Sequence, residues 1–222
     1  MGIYIFSWTA LKEALLANKS QPNLDFGKHI IPYCRDNGRP LYAWEFNGYW
    51  KDVGTLTSYW EANMELIDIV PEFNLYEEFW KIYTKSQTVT PQYFGPNSAV
   101  ERTIIGEGSE IYGQVYNSVI GCDVIIGEGT IVRDSIIMNG TVIGDNCRLE
   151  KVIAAENVTI ADGVVLGEGD YIENDTRPDI YRDGIVTIGE GTVIPDSVTI
   201  GRNTLISGHT VEADYPDGRL AG

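Results

Sequence analysis

The stretch Val119-Ile120-Gly121-Cys122-Asp123-Val124-Ile125-Ile126-Gly127-Glu128-Gly129-Thr130-Ile131-Val132 decides the fold, because Ile120, Ile126 and Val132 recur every six positions. A period of six is neither helical nor a plain strand alternation. It suits a parallel β-helix in which each hexapeptide forms one face of a triangular coil, with the aliphatic side chain inward and a corner that favours Gly, Asn or Asp.

The same spacing extends in both directions. Upstream stand Ile105-Gly106 and Ile111; downstream come Ile143-Gly144, Leu149, Ile160, Leu166-Gly167, Ile172, Ile188-Gly189, Ile194, Ile200-Gly201 and Ile206. The register shifts after Ile111, Val132, Leu149 and Ile172, which predicts short insertions and one longer loop from Glu173 to Ile185. The array from Phe94 to Val211 has room for roughly six coils, above the minimum of three for a stable stack. Gly-Glu-Gly occurs at 106–108, 127–129, 167–169 and 189–191, each time without a following Lys-Ser/Thr or helix pattern, so these read as corner turns rather than phosphate loops.

The first 67 residues have a different grain. Ile3–Phe6 and Leu41–Phe46 read as strands; Trp8–Leu16 reads as a helix with Leu11, Leu15 and Leu16 inward; Asp25–Cys34 reads as a short helix stopped by Pro32. A second helix follows, with Ser58-x-x-Glu61 resembling a capping box and Leu56, Tyr59, Trp60, Met64 and Ile67 on related faces. Phe73, Tyr76, Phe79 and Trp80 are expected to pack the connection into the solenoid. Strand-helix-strand-helix is too little to cover both faces of a parallel sheet, so the chain is expected to begin inside an α/β domain. The boundaries read as 1–67 for that domain, 68–96 for the linker, and 97–222 for the solenoid with its tail.

Composition excludes several function classes. The chain has 222 residues, with 16 Lys and Arg against 32 Asp and Glu, and a formal charge of −16. Binding nucleic acid through phosphate neutralisation is therefore not expected, and a nucleotide or sugar-phosphate ligand would need a metal ion or local cations. Cys34, Cys122 and Cys147 form no CxxC, so neither a disulfide framework nor a zinc site is indicated, which fits a cytoplasmic setting. No apolar run is long enough to span a membrane, and no signal-peptide pattern opens the chain.

Met1-Gly2-Ile3-Tyr4-Ile5-Phe6, Asp25-Phe26-Gly27-Lys28-His29-Ile30-Ile31-Pro32, Gly48-Tyr49-Trp50-Lys51-Asp52-Val53-Gly54-Thr55 and Tyr59-Trp60-Glu61-Ala62-Asn63 closely resemble the carboxy-terminal half of the glucose-1-phosphate adenylyltransferase family. The match extends downstream through Pro71–Tyr76, Asn117–Ile120, Asp134–Met138 and Gly184–Gly189. The resemblance implies the end of a Rossmann-like nucleotidyltransferase domain followed by a left-handed parallel β-helix. It implies transfer of an adenylyl group from ATP to glucose 1-phosphate, with Mg²⁺, and an oligomer or a partner chain supplying the nucleotide-binding half. The family's Gly-rich nucleotide loop and first metal-binding Asp have no counterpart in these residues, so the isolated chain is expected to be inactive.

Carried over residue by residue, the resemblance puts Tyr4, Asp25, Phe26 and Trp50 around the sugar phosphate and makes Asp52 a catalytic carboxylate on Mg²⁺. The residue types suit the chemistry: sugars are gripped by aromatic faces and carboxylates, and magnesium takes hard oxygen ligands. Plainer roles remain for each. Asp25 stands where it would cap a helix, Asp52 precedes Val53-Gly54 as a turn acid, and Tyr4 and Trp50 suit a core. Lys28 and Lys51 are the cations nearest to these residues in sequence. Two other classes compete: a hexapeptide acyltransferase with His209 as base, and a non-catalytic assembly or regulatory module using the solenoid's flat faces.

Overall fold

In the computed structural model, residues 2–75, 77–83 and 88–220 are described; Met1 and Tyr76 lie outside them. The chain divides into two compact units, Met1–Trp50 and Lys51–Gly222.

The second unit contains the solenoid. Among the described residues its strands form three sheets of six, seven and six members, all parallel, and up to Ile206 each sheet takes every third strand in chain order. In the middle of the stack the register advances by 17 residues per coil, as in Ile126, Ile143 and Ile160. The inward column is the one the period of six picks out: Ile111, Ile120, Ile126, Val132, Ile143, Leu149, Ile160, Leu166, Ile188, Ile194, Ile200 and Ile206 are all buried in one core. The short insertions expected after Ile111, Val132 and Leu149 are instead strands, Gln114–Tyr116, Ile136–Ile137 and Val152–Ala154, which put Val115, Ile137 and Ala154 into the same core because each pairs with the neighbouring coil. Ile172 departs in the other direction. Leu166 pairs onward with Ile200 and the chain leaves the stack at Gly167, so Ile172 lies in the excursion and is about half exposed. The tail contributes too, because Arg219–Leu220 joins the seven-stranded sheet beside Thr199–Ile200.

The two glycines of Gly127-Glu128-Gly129 serve different ends. A Cβ on Gly127 would lie 2.5 Å from the Gly144 carbonyl carbon in the next coil, whereas Gly129 has φ of 70°, which side chains disfavour. Other corners use Asn or Asp in the same left-handed region, among them Asn117, Asp134 and Asn157. Asp carboxylates also tie one coil to the next: Asp145 Oδ1 accepts from the Glu128 N–H, and Asp162 Oδ1 from the Asp145 N–H.

A helix, Leu56–Glu65, belongs to this second unit; it is labelled α3 below. Its cap is Thr55 paired with Ser58, not Ser58 paired with Glu61: Thr55 Oγ1 accepts from the Ser58 N–H, and Ser58 Oγ accepts in return from the Thr55 N–H. Leu56, Tyr59, Trp60 and Met64 cover Ile136, Ile153 and Ile185 on the outside of one sheet. Of the aromatics expected to pack the connection, two do not, and Tyr76 lies outside the described residues. Phe79 and Trp80 are almost wholly exposed.

The first unit is sparse. Helix α1 spans Trp8–Ala17, and a five-residue π-helical segment, Phe26–Ile30, runs directly into α2, Ile31–Asp36. Pro32 opens α2 instead of ending a helix, because the first helical turn has no use for the N–H that proline lacks. Ala14, Ile30 and Cys34 are buried, with Phe6, Leu11, Leu15 and Tyr33 against them, while Leu16 faces out. Ile3–Phe6 and Leu41–Phe46 form no strand and pair with none among the described residues. Alternation alone makes a strand only where a neighbour takes its backbone hydrogen bonds.

Candidate functional site

The segment from Asp25 to Phe26 brings three of the expected residues together. Asp25 precedes the Phe26–Ile30 segment in an extended conformation, and its Oδ1 accepts from the Lys28 N–H at 2.7 Å. His29 Nδ1 accepts in turn from the Asp25 N–H at 3.1 Å, so both sides of Asp25 are tied to one turn. The Tyr4 and Phe26 rings are stacked, 5.6 Å apart and 9° from parallel, and Phe6 closes on both at an angle.

Gly27 sits between the two kinds of group. A Cβ there would lie 3.4 Å from Asp25 Oδ1 and 3.9 Å from the Tyr4 hydroxyl. The carboxylate and the phenol thus border a site where glycine leaves room. Tyr4 and Phe26 are each partly open to solvent rather than sealed into a core.

Trp50 is half exposed and is not part of this aromatic group. Its exposure removes the plain core reading. Asp52 lies in the second unit, at the turn that leads into α3, and its Oδ1 accepts from the Gly54 N–H at 3.0 Å. Lys51 is less available as a phosphate cation than its place in the sequence suggests. Its Nζ lies 2.6 Å from Glu65 and 3.2 Å from Glu61, and these hydrogen bonds, Glu65 first, raise its pKa above the ordinary lysine value. The sequence spacing Lys51…Glu61…Glu65 carried no signal of this, because the pairing depends on the turn at 52–55 folding back on the helix.

The described residues include no group of three or more His, Cys, Asp or Glu placed to hold a metal ion. Asp52 is one carboxylate. Magnesium takes one or two protein carboxylates along with phosphate oxygens and water, and Asp52 is of the hard-oxygen type it prefers. His209, the base considered for acyl transfer, is exposed and forms an isolated bridge with Val193 near the end of the stack.

Residues 1–69 match the family model described as nucleotidyl transferase, and residues 88–188 match the one described as GlmU-like, C-terminal hexapeptide. A glucose-1-phosphate adenylyltransferase of Lachnospira eligens is 60% identical over 222 residues, covering 100% of this chain and 52% of that protein. This chain resembles the carboxy-terminal half of a glucose-1-phosphate adenylyltransferase. Enzymes of the same name from Acetivibrio thermocellus and Thermotoga maritima are 44% and 47% identical, over 97% and 93% of this chain. The chain spans about half the length of these adenylyltransferase relatives. No described helix is long and apolar enough to cross a membrane.

Proposed function

We propose that these residues form the sugar-phosphate side and the solenoid of a glucose-1-phosphate adenylyltransferase, which joins ATP and glucose 1-phosphate into ADP-glucose and pyrophosphate for glycogen synthesis in the cytoplasm. The observation that carries the reading is the 60% identity to such an enzyme along the whole of this chain. The stacked Tyr4 and Phe26 rings, with Asp25 beside Gly27, support a sugar subsite: a ring face covers the apolar side of a pyranose while a carboxylate accepts from its hydroxyls. Trp50 is proposed as a further wall of that subsite.

Asp52 is proposed as one ligand of Mg²⁺, the other ligands being substrate phosphates and groups outside these residues. The Gly-Glu-Gly turns at 106–108, 127–129 and 189–191 lie at solenoid corners with an acid at the centre, that at 167–169 opens the excursion instead, and none of the four has the strand-to-helix setting of a phosphate loop. The 222 residues alone are therefore proposed to be inactive in adenylyl transfer. Self-association through the solenoid belongs to the same reading and is supported by the outward Ile125 and Val142, which stand exposed on adjacent strands of one flat face.

The test is ADP-glucose formation from ATP, glucose 1-phosphate and Mg²⁺. No product is expected from the purified chain, and product is expected when it is combined with the amino-terminal half of the Lachnospira eligens relative. Asp52→Asn should abolish the restored activity. Product from the chain alone would overturn the inactivity, and its continued lack in the combination would overturn the family activity.

A further inference from the structure

The turn that carries Asp52 is held by the solenoid through α3. Trp60 Nε1–H donates to the Asp134 carbonyl at 2.6 Å, at a corner where Asp134 has φ of 48°. The Lys151 ammonium lies 4.8 Å from the centre of the Trp60 ring, a cation–π distance, and donates to the Asp183 carbonyl at 2.6 Å. Asp183 then returns to the helix, its Oδ2 accepting from Thr57 Oγ1–H at 2.6 Å. Thr57 stands in the first turn of α3, where a carboxylate is favoured by the unpaired N–H groups of the helix start.

Asp183 belongs to the excursion that begins at Gly167, and that excursion is itself anchored. The side chain of buried Asn203 accepts from the Gly184 N–H at 2.8 Å and donates to the Ile172 carbonyl at 2.7 Å. The Asp183 N–H donates to the Tyr171 hydroxyl. Further along α3, Lys51 ties the turn back to Glu61 and Glu65. A continuous set of contacts therefore runs from the solenoid interior through the excursion to the first turn of α3, five residues after Asp52.

We infer that Thr57 and Asp183 are positioning residues, and that the solenoid excursion sets the backbone of the turn from which Asp52 projects. The inference rests on the reading of Asp52 as a site carboxylate for its functional meaning, while the restraint itself is a property of the 222-residue chain. It gives the excursion a task that the period of six leaves unexplained.

The test uses amide exchange and backbone order parameters in the intact chain, with Thr57→Val, Thr57→Ser and Asp183→Asn. The Ser58 and Tyr59 amides, which donate to Thr55, should exchange about ten-fold faster in Thr57→Val, the loss expected when a hydrogen bond to a charged group is removed, and faster by a smaller factor in Asp183→Asn, where an amide oxygen still accepts but the charge is gone. Order parameters at Asp52 and Gly54 should fall in the same two variants. Thr57→Ser retains the hydroxyl and should match the parent chain. Strand amides at Ile136–Ile137 and Val152–Ala154 serve as the control for intact folding. Unchanged exchange in both disrupting variants, or equal acceleration in Thr57→Ser and Thr57→Val, overturns the inference. Failure of ADP-glucose formation in the combined enzyme would strike the functional reading and leave these ratios as they are.

Discussion

In residues 2–50 the fully buried apolar side chains are Ala14, Ile30 and Cys34, whereas the solenoid buries a continuous column from Ile111 to Ile206. Ile3, Ile5, Tyr42 and Trp44 stand largely exposed in the smaller unit, on segments without strand partners among the described residues. A solenoid coil needs only its two neighbours, so short strands of two or three residues are enough once they are stacked. A strand of an α/β sheet needs partners from distant parts of a chain. The two halves therefore differ in how much of their stability is local to these residues.

The largest test of that difference is a core truncation in each region. Leu149→Ala removes a side chain sealed between coils and should cost about 2–5 kcal/mol in denaturant unfolding. Ile5→Ala, at a residue that is 98% exposed, should change stability by less than about 0.5 kcal/mol. Equal losses would mean that the smaller unit buries far more than its contacts indicate.

The three cysteines sharpen the comparison without any core mutation. None is in a disulfide; Cys34 and Cys147 are buried and Cys122 is partly open. A thiol reagent should label Cys122 first. Cys34 should follow through local opening of its small cluster, and Cys147 should wait for global unfolding. Labelling of Cys34 and Cys147 at one rate would erase the difference between the units.

A smaller effect is expected at the cap of α3. Thr55→Ala removes the acceptor for the Ser58 N–H and should cost about 1 kcal/mol, seen as faster exchange across the first turn. Solenoid strands should be unaffected, which separates the helix from the stack it covers.

The solenoid was legible because its signal is local. A six-residue period picks inward positions with no knowledge of partners; it errs at Ile172, where the chain leaves the stack, and it reads as insertions the strands that carry buried Val115, Ile137 and Ala154, where the step to the next inward residue is four or five. The cover provided by α3 was not legible. Ile125-Ile126 and Ile136-Ile137 read alike, yet Ile125 faces solvent while Ile136 lies under Tyr59 and Trp60. Which outer isoleucine is covered depends on a helix that lies far away in sequence. Among the candidate site residues, the Tyr4–Phe26 stack and the cap formed by Asp25 depend on a short turn, whereas the pairing of Lys51 with Glu61 and Glu65 depends on a folded-back loop.

The smallest expected effect concerns pH and the position of Cys147 in the ladder between coils. Thr130 Oγ1 accepts from the Cys147 N–H, and the Cys147 thiol reaches the Ala161 carbonyl, as Thr130 reaches that of Gly144. Burial pushes the thiol pKa above its ordinary value. The folded state therefore holds the proton more tightly than the unfolded state, and this contribution is fully present below the unfolded value of about 8.5. It is lost as pH rises from there through the folded value. Cys147→Ser keeps a hydroxyl in the ladder and removes that titration, while Tyr112 and Tyr215, whose pKa values are also raised, remain in both proteins and cancel in the difference. The parent chain should lose stability relative to Cys147→Ser on going from neutral pH to above about 8.5. Parallel pH profiles would mean that the thiolate is tolerated inside the coil, and that this part of the stack is less tightly closed than its buried isoleucines imply.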